Sequence, residues 1–347
     1  MKIQRFHFQN ARITGSPLTR WQSIPSGLFP VIGLMMLLAC SCEQETDLPG
    51  PDQLGKWESI DMSDGLSDNF VLDIFEDKSG NIWVGTNNGG LNVFDGQEWI
   101  NYTFDQLNMS NTIFAIEQFW KDLIWFAGPD GLSYIDNGIV YTIDSLVGRA
   151  FIPVTLMTDS KDRLWVGTAG QGIFILELNG SQSSYFYNDT NYNEINIINE
   201  DESGNIWLGT DAGALYYDGN SFNIFDENDG LYSNEVTYIL EDSWDYLWFA
   251  TQTGELITRY DGNRSEPVYL FNGYDVASVF SMSEDLQGNI WFAAGSFGII
   301  KYNGIEMIKQ DLPERYKEDL FICSLADRNG DIWFGTVYNG ILKYVSE

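Results

Sequence analysis

The sequence predicts an all-β fold: a seven-bladed β-propeller of four-stranded blades whose ring is closed by the N-terminal strand. Three observations predict it: a tryptophan-centred phrase occurring seven times, a nearly constant spacing between its copies, and a strand missing at one end and surplus at the other. The phrase is Gly80-Asn81-Ile82-Trp83-Val84-Gly85-Thr86, with counterparts centred on Trp125, Trp165, Trp207, Trp248, Trp291 and Trp333. Successive tryptophans stand 42, 40, 42, 41, 43 and 42 residues apart, a period that suits propeller blades and not ankyrin, tetratricopeptide or leucine-rich units. An aromatic content of 15% with 34 glycines fits many short strands joined by tight turns. A chain of 347 residues exceeds one ordinary core, a problem that self-burying repeats solve.

Blade one sets the pattern: strand a over 70–76, b over 81–86, c over 91–94 and d over 99–103. Six units place an aspartate six residues before the tryptophan (Asp77, Asp159, Asp201, Asp242, Asp285, Asp327), where its carboxylate can accept from the amides of the a–b turn. Blade two has Phe119-Trp120 there instead. Between c and d, Asp95-Gly96, Asn137-Gly138, Asn179-Gly180, Asp218-Gly219, Asp261-Gly262 and Asn303-Gly304 read as two-residue hairpin turns with positive φ. Blade seven lacks such a pair and ends after strand c, while Trp57 to Asp61 precedes the first strand a as a strand d would. Pairing that strand with Ile341 to Val345 closes the ring and removes both free edges. The tryptophans, alike in every blade, read as packing between blades, and the Gly or Ala two residues on reads as room for close sheet approach.

Before the propeller, residues 1–39 read as a signal peptide with an apolar core from Leu28 to Ala39, too short to span a bilayer. It ends Leu37-Leu38-Ala39-Cys40, which resembles the lipobox of bacterial lipoproteins and makes Cys40 the expected lipidation site, ahead of Cys42. Residues 40–55 form an acidic, Pro/Gly-containing tether, and 56–347 the propeller. These features place the chain in the cell envelope, on the periplasmic or the outer face of the outer membrane, with the lipid as its only membrane contact. Residues 40–347 hold 14 of the 18 basic side chains and all 50 acidic ones, a formal charge of −36. Such a body repels phosphate backbones and anionic head groups, so nucleic acid is excluded as a partner.

The segments Gly65-Leu66-Ser67-Asp68-Asn69-Phe70 through Asp95-Gly96, and Gly230-Leu231-Tyr232-Ser233-Asn234-Glu235-Val236 through Asp261-Gly262, resemble the two-component regulator propeller repeat. The resemblance covers residues 57–345 and implies ligand sensing, since in that family such propellers form the extracytoplasmic sensor of histidine kinases, often those controlling polysaccharide use. No kinase, membrane helix or DNA-binding segment follows blade seven here, so a stand-alone binding lipoprotein or sensor accessory, monomeric, is expected. The repeats resemble those of streptogramin lyase more loosely; that enzyme uses a histidine and a magnesium ion.

The only histidine, His7, lies in the segment expected to be removed, which deprives the mature chain of histidine-dependent chemistry. No metal and no cofactor is expected: Asp201-Glu202-Ser203-Gly204-Asn205 lacks the length and terminal glutamate of a calcium loop. A carboxylate-dependent hydrolase or lyase is the alternative to a binding protein. The binding face is expected where the d–a and b–c loops emerge, because those loops vary while the opposite turns repeat. They carry Phe151, Tyr192, Tyr232, Tyr274, Phe297 and Tyr338 with Arg149 and Arg315, suited to stacking on sugars and gripping carboxylates. A glycan, an anionic small molecule or an envelope protein is the expected partner.

Overall fold

The computed structural model describes residues 56–104, 109–143, 145–146, 149–177, 192–252, 256–270 and 278–346, the side chains of 145, 146 and 149 excepted. Cys40 and the whole leader and tether therefore lie outside the described residues. Seven antiparallel sheets succeed one another along the chain, and their innermost strands are Val71–Glu76, Ala115–Phe119, Pro153–Thr158, Ile195–Glu200, Val236–Glu241, Ser281–Glu284 and Phe321–Ala326. Six sheets show four strands; the third shows three, its expected outer strand falling on residues 178–191, outside those described. The seventh has the order Lys56–Ile60, Ile341–Val345, Ile332–Thr336, Phe321–Ala326. Lys56 pairs with Val345 and Ile60 with Ile341, so the N-terminal strand completes the last blade as expected, one residue earlier than its sequence suggested. Trp57 then packs at 5.1 Å from Tyr344 and 6.5 Å from Trp291 of blade six. Two additions were not foreseen: a hairpin, Ser145–Leu146 with Arg149–Ala150, and a 3-10 turn, Glu314–Tyr316. No helix among the described residues is long and apolar enough to cross a membrane.

Each aspartate before a tryptophan does more than cap its turn. Asp77 Oδ1 accepts from the amides of Ser79 (2.8 Å) and Asn81 (2.9 Å), while Oδ2 accepts the indole N–H of Trp83 at 2.9 Å. The indole bond recurs from Trp165 to Asp159 (2.7 Å), Trp207 to Asp201 (2.8 Å), Trp248 to Asp242 (2.7 Å), Trp291 to Asp285 (2.8 Å) and Trp333 to Asp327 (2.9 Å). A tryptophan can be buried only if its N–H finds a partner, so one carboxylate satisfies both turn and core. In blade two the Phe119 carbonyl takes this role at 3.1 Å from Trp125 Nε1. Its turn is then closed by three consecutive left-handed residues, Trp120, Lys121 and Asp122 (φ 47°, 57° and 60°).

In five blades the residue just before the aspartate, or before Phe119 in blade two, accepts an amide of the neighbouring blade. Glu200 accepts from Ser160 N and Oγ, both at 2.6 Å, Glu241 from Glu202 N at 2.6 Å, and Glu284 from Ser243 N at 2.8 Å. Gln118 accepts from Lys78 N at 2.8 Å, and Glu76 from Arg328 N at 2.8 Å across the closing seam. Blades approach closely above these bonds: a Cβ on Gly209 would lie 2.6 Å from Ile197 and 2.9 Å from Val236 of blade five. The glycine or alanine expected for close approach is thus required by the neighbour's strand a.

The c–d turns correct the sequence reading in one respect. Only Asn137-Gly138 has positive φ at both residues (50° and 77°), between the paired Asp136 and Ile139. At Gly96, Gly219, Gly262 and Gly304 only the glycine does. There the preceding side chain holds the turn instead: Asp95 Oδ1 accepts from Gln97 N (2.8 Å) and Glu98 N (2.9 Å), and Asp218, Asp261 and Asn303 repeat the pattern. The Asn179-Gly180 turn lies outside the described residues. Asp201→Ala should cost about 2–3 kcal/mol, since it strands the buried Trp207 N–H and the Asn205 amide together, and urea unfolding monitored by tryptophan fluorescence checks it.

Candidate functional site at the axial channel

The seven innermost strands surround an axis, and one side chain from each turns towards it: Leu72, Phe114, Val154, Asn196, Thr237, Phe280 and Ile322. Each stands eleven residues before its blade's tryptophan. In five blades the ladder with strand b skips this residue, between Val71 and Asp73, Pro153 and Thr155, Ile195 and Ile197, Val236 and Tyr238, and Phe321 and Cys323. A bulge of this kind leaves one residue unpaired and re-aims its side chain. In blades two and six the regular strand starts one residue later, and Phe114 N and Phe280 N bond to Ala127 O (2.8 Å) and Ala293 O (2.9 Å).

Together these side chains line a cavity of about 180 Å³. It opens on the face where the d–a and b–c segments emerge, since its rim holds Ala169, Asp211 and Gln252 from b–c loops and Glu194 and Glu235 from d–a segments. The lining is two-sided. Blades six, seven, one and two present Phe280, Ile322, Leu72 and Phe114, whereas the polar arc centres on blade four. There Asn196 Nδ2 donates to Asp211 Oδ1 (2.9 Å) and to Val236 O (3.0 Å), and Thr237 Oγ1 donates to Val279 O (2.8 Å). Those bonds also tie blade four to five and five to six.

Beside this layer sit two carboxyls in unusual surroundings. Asp73 follows the axial Leu72 in strand a; burial pushes its pKa up to about 7, although Ile116 N (2.7 Å) and Ile74 N (2.9 Å) donate to it. Burial likewise raises Glu117 to about 7, against the amide of Gln118 at 2.8 Å, and the charge of Asp73 adds to the rise. Burial also raises the thiol of Cys323 and the phenol of Tyr238, which feels Asp73 as well. Cys323 is buried. Among the described residues no group of three or more His, Cys, Asp or Glu is placed to hold a metal ion.

The side chains expected to bind ligand are dispersed. Phe151 is 3% exposed and packs with its ring tilted against Phe174, 5.3 Å between centres, inside the core, so it has little surface left for a ligand. Tyr192 is half-buried against the core of blades three and four, and Phe297 against that of blades five and six, with Lys309 Nζ 4.0 Å from its ring centre. Arg315 is engaged by Asp61 (2.6 Å) and Asn339 Oδ1 (2.9 Å), pinning the loop before blade seven to the end of the closing strand. Tyr232 and Tyr338 are exposed. Tyr274 and the Arg149 side chain lie outside the described residues. None of the six described side chains lines the cavity. What does line it was marked in the sequence only by distance from the tryptophans.

The architecture is that of a seven-bladed propeller with an axial cavity at one mouth. Residues 65–88 match the two component regulator propeller, so the chain carries the repeat its sequence resembles. No curated protein matches it. Among solved structures it is similar to the extracellular domain of a hybrid two component system from B. thetaiotaomicron (23% identity, TM-score 0.73, 85% of this chain and 42% of that one). It is also similar to the extracellular domain of a one component system from the same organism (20%, TM-score 0.68, 84% and 40%). Virginiamycin B lyase from Staphylococcus aureus is similar too (14%, TM-score 0.69, 83% and 98%). The chain thus spans about two fifths of the length of the two sensor structures. At these identities the likeness is one of fold, shared by sensor domains and an enzyme alike.

A pH dependence follows from Asp73 and Glu117. Their folded pKa values lie above the ordinary carboxyl value, so their contribution is fully present below about pH 4 and is lost as pH rises to about 7. Asp73→Asn should flatten this decline between about pH 4 and 7, at a pH-independent cost because the amide can accept from only one of the Ile74 and Ile116 N–H groups, as urea midpoints across pH will show.

Proposed function

We propose that the chain is an exported, lipid-anchored binding propeller of the cell envelope that receives a small ligand, a glycan in the favoured case, in the axial cavity. The single observation carrying this reading is the cavity itself: seven blades each aim one side chain into it, five by means of a bulge that has no role in pairing. Binding pockets are concave, largely apolar and supplied with a few polar groups, and this one has that composition. The aromatic surfaces of Phe114 and Phe280 suit the C–H face of a sugar ring. An anionic ligand loses its support, since Glu194, Asp211 and Glu235 line the mouth and none of the lining residues is basic.

The similarity to extracellular sensor domains supports a sensing or sensor-accessory role. Catalysis by carboxylates gains nothing from Asp73 and Glu117, which accept backbone amides and stand outside the cavity lining. The Leu37-Leu38-Ala39-Cys40 ending supports the lipid anchor, and the charge of −36 leaves that anchor as the membrane contact.

Two experiments test the reading. Cys40→Ser should move the protein from the membrane to the soluble fraction, with loss of the lipid's mass; a variant that stays membrane-bound at unchanged mass refutes the anchor. For the cavity, a panel of neutral, acidic and amino-bearing oligosaccharides is titrated calorimetrically into the parent and into Val154→Trp, which fills the channel mouth. Binding by the parent that the indole abolishes is expected; no binding across the panel, or binding that survives the indole, places the function elsewhere.

A further inference from the structure

The end of the propeller opposite the cavity mouth, where the a–b and c–d turns emerge, holds the three most exposed large apolar side chains among the described residues: Ile305 (89%), Trp244 (75%) and Leu286 (69%). Trp244 and Leu286 lie in the a–b turns of blades five and six, and Ile305 in the c–d turn of blade six. Single apolar residues on a surface are ordinary, but the repeat sets these apart. Lys161 and Ser203 stand where Trp244 does, Glu202 and Arg328 where Leu286 does, and Asn220 and Asn263 where Ile305 does. The turns have no need of the apolar side chains: Trp244 and Ile305 contribute backbone amides, each 2.9 Å from Asp242 Oδ1 and Asn303 Oδ1. The exposed groups also run on from blade to blade. Trp244 Nε1 lies 3.8 Å from where a Cβ on Gly288 of blade six would stand, and Leu286 Cδ1 lies 2.9 Å from the same point on Gly330 of blade seven. Ser346 Oγ borders Gly330 on its other side at 3.3 Å, and Ser346 follows Val345, the partner of Lys56. The apolar strip therefore ends where the chain from Cys40, sixteen residues earlier, joins the propeller.

We propose that this turn face, over blades five to seven, rests on the membrane that holds the Cys40 lipid, with Trp244, Leu286 and Ile305 set in the head-group layer. This rests on the lipid-anchor reading and adds a second contact to it. Lipid is the occupant because the anchored chain joins at the edge of the strip, so an inserted anchor keeps bilayer within its reach. A second contact tethered in this way needs little affinity of its own. Tryptophan suits the bilayer interface, where its ring sits at head-group level, and leucine and isoleucine bury apolar surface beside it. The charge of −36 opposes adsorption from solution onto anionic head groups, so the contact is apolar and depends on the anchor. Docked by this face, the propeller turns its cavity mouth away from the bilayer and towards incoming ligand.

The test places the lipidated full chain in phosphatidylcholine vesicles, either unbrominated or brominated near the head-group end of the acyl chains, and compares tryptophan emission. Bromine quenches an indole only at close range, so tryptophans buried between blades stay bright. Emission should fall in the brominated vesicles, and the fall should shrink at least about twofold in Trp244→Ala, which removes the indole set in the interface. Leu286→Ser/Ile305→Ser keeps that indole but weakens the seating of the face, and should also lessen the fall. All three side chains are exposed, so the circular dichroism spectra of both variants should match the parent's. A vesicle-bound parent that is not quenched overturns the proposal. So does a fall of unchanged size in Trp244→Ala, or in the double variant, since the face would then meet solvent or protein instead. A chain recovered without lipid that stays off the vesicles refutes the anchor reading and the docking with it, whereas a lipidated, vesicle-bound and unquenched chain refutes the docking alone.

Discussion

The structure depends first on a hydrogen bond between an aspartate and the indole N–H six residues later. A propeller blade must bury a large flat side chain between neighbouring sheets, and tryptophan fills that space at the cost of one polar atom. Leaving that atom unpaired in the core would cost about 1–3 kcal/mol per blade. The carboxylate that removes this penalty also closes the a–b turn, with Oδ1 on the turn amides and Oδ2 on the indole, as at Asp242, where Trp244 N, Tyr246 N and Trp248 Nε1 all donate. Turn and core are thereby coupled within each blade. Blade two shows what happens without it: a carbonyl serves the indole, and the turn is forced into three successive left-handed residues.

A ring of sheets also needs cohesion between blades, because neighbouring innermost strands are joined by no backbone ladder among the described residues. Two devices supply it. At the a–b end, Glu76, Gln118, Glu200, Glu241 and Glu284 each take an amide of the preceding blade's turn. Nearer the axis, Asp73, Asn196, Thr237 and the Ser281–Ser324 pair reach the next blade's innermost strand. Asp73 does so at the expense of its own ionisation, which burial penalises. An amide or hydroxyl at the same level makes an equivalent tie with no charge to desolvate.

Most of the scaffold was legible in the sequence, because what builds it repeats. The tryptophans, their aspartates and the Asp/Asn-Gly turns each have one structural cause that recurs at a fixed offset. The absent seventh turn beside an unpaired Trp57 segment left one topological solution, and Lys56–Ile60 against Ile341–Val345 is that solution. The tandem acids were half-read: Asp201 was visible as a turn residue, whereas Glu200 before it serves the neighbouring blade, a contact 40 residues away that no local rule reports. The c–d turns were read as backbone-driven, yet Asp95 and its counterparts work through the side chain.

The site was less legible, for a physical reason. Aromatics in variable loops attract attention as ligand platforms, but a loop across a sheet end needs its own anchor, and Phe151 is such an anchor. Five of the seven residues that face the axis occupy bulges, which break the two-residue alternation by which inward and outward side chains are told apart. Leu72 and Asn196 therefore look like any other strand residue until they are counted back from their tryptophans. At this offset the repeat fixes the backbone and leaves the side chain free: five apolar residues, one amide and one hydroxyl stand at equivalent places. In five blades the ladder with strand b skips the residue, so its identity is set by what surrounds the axis: Asn196 and Thr237 use the position to tie one blade to the next, while the five apolar residues make no such bond through their side chains.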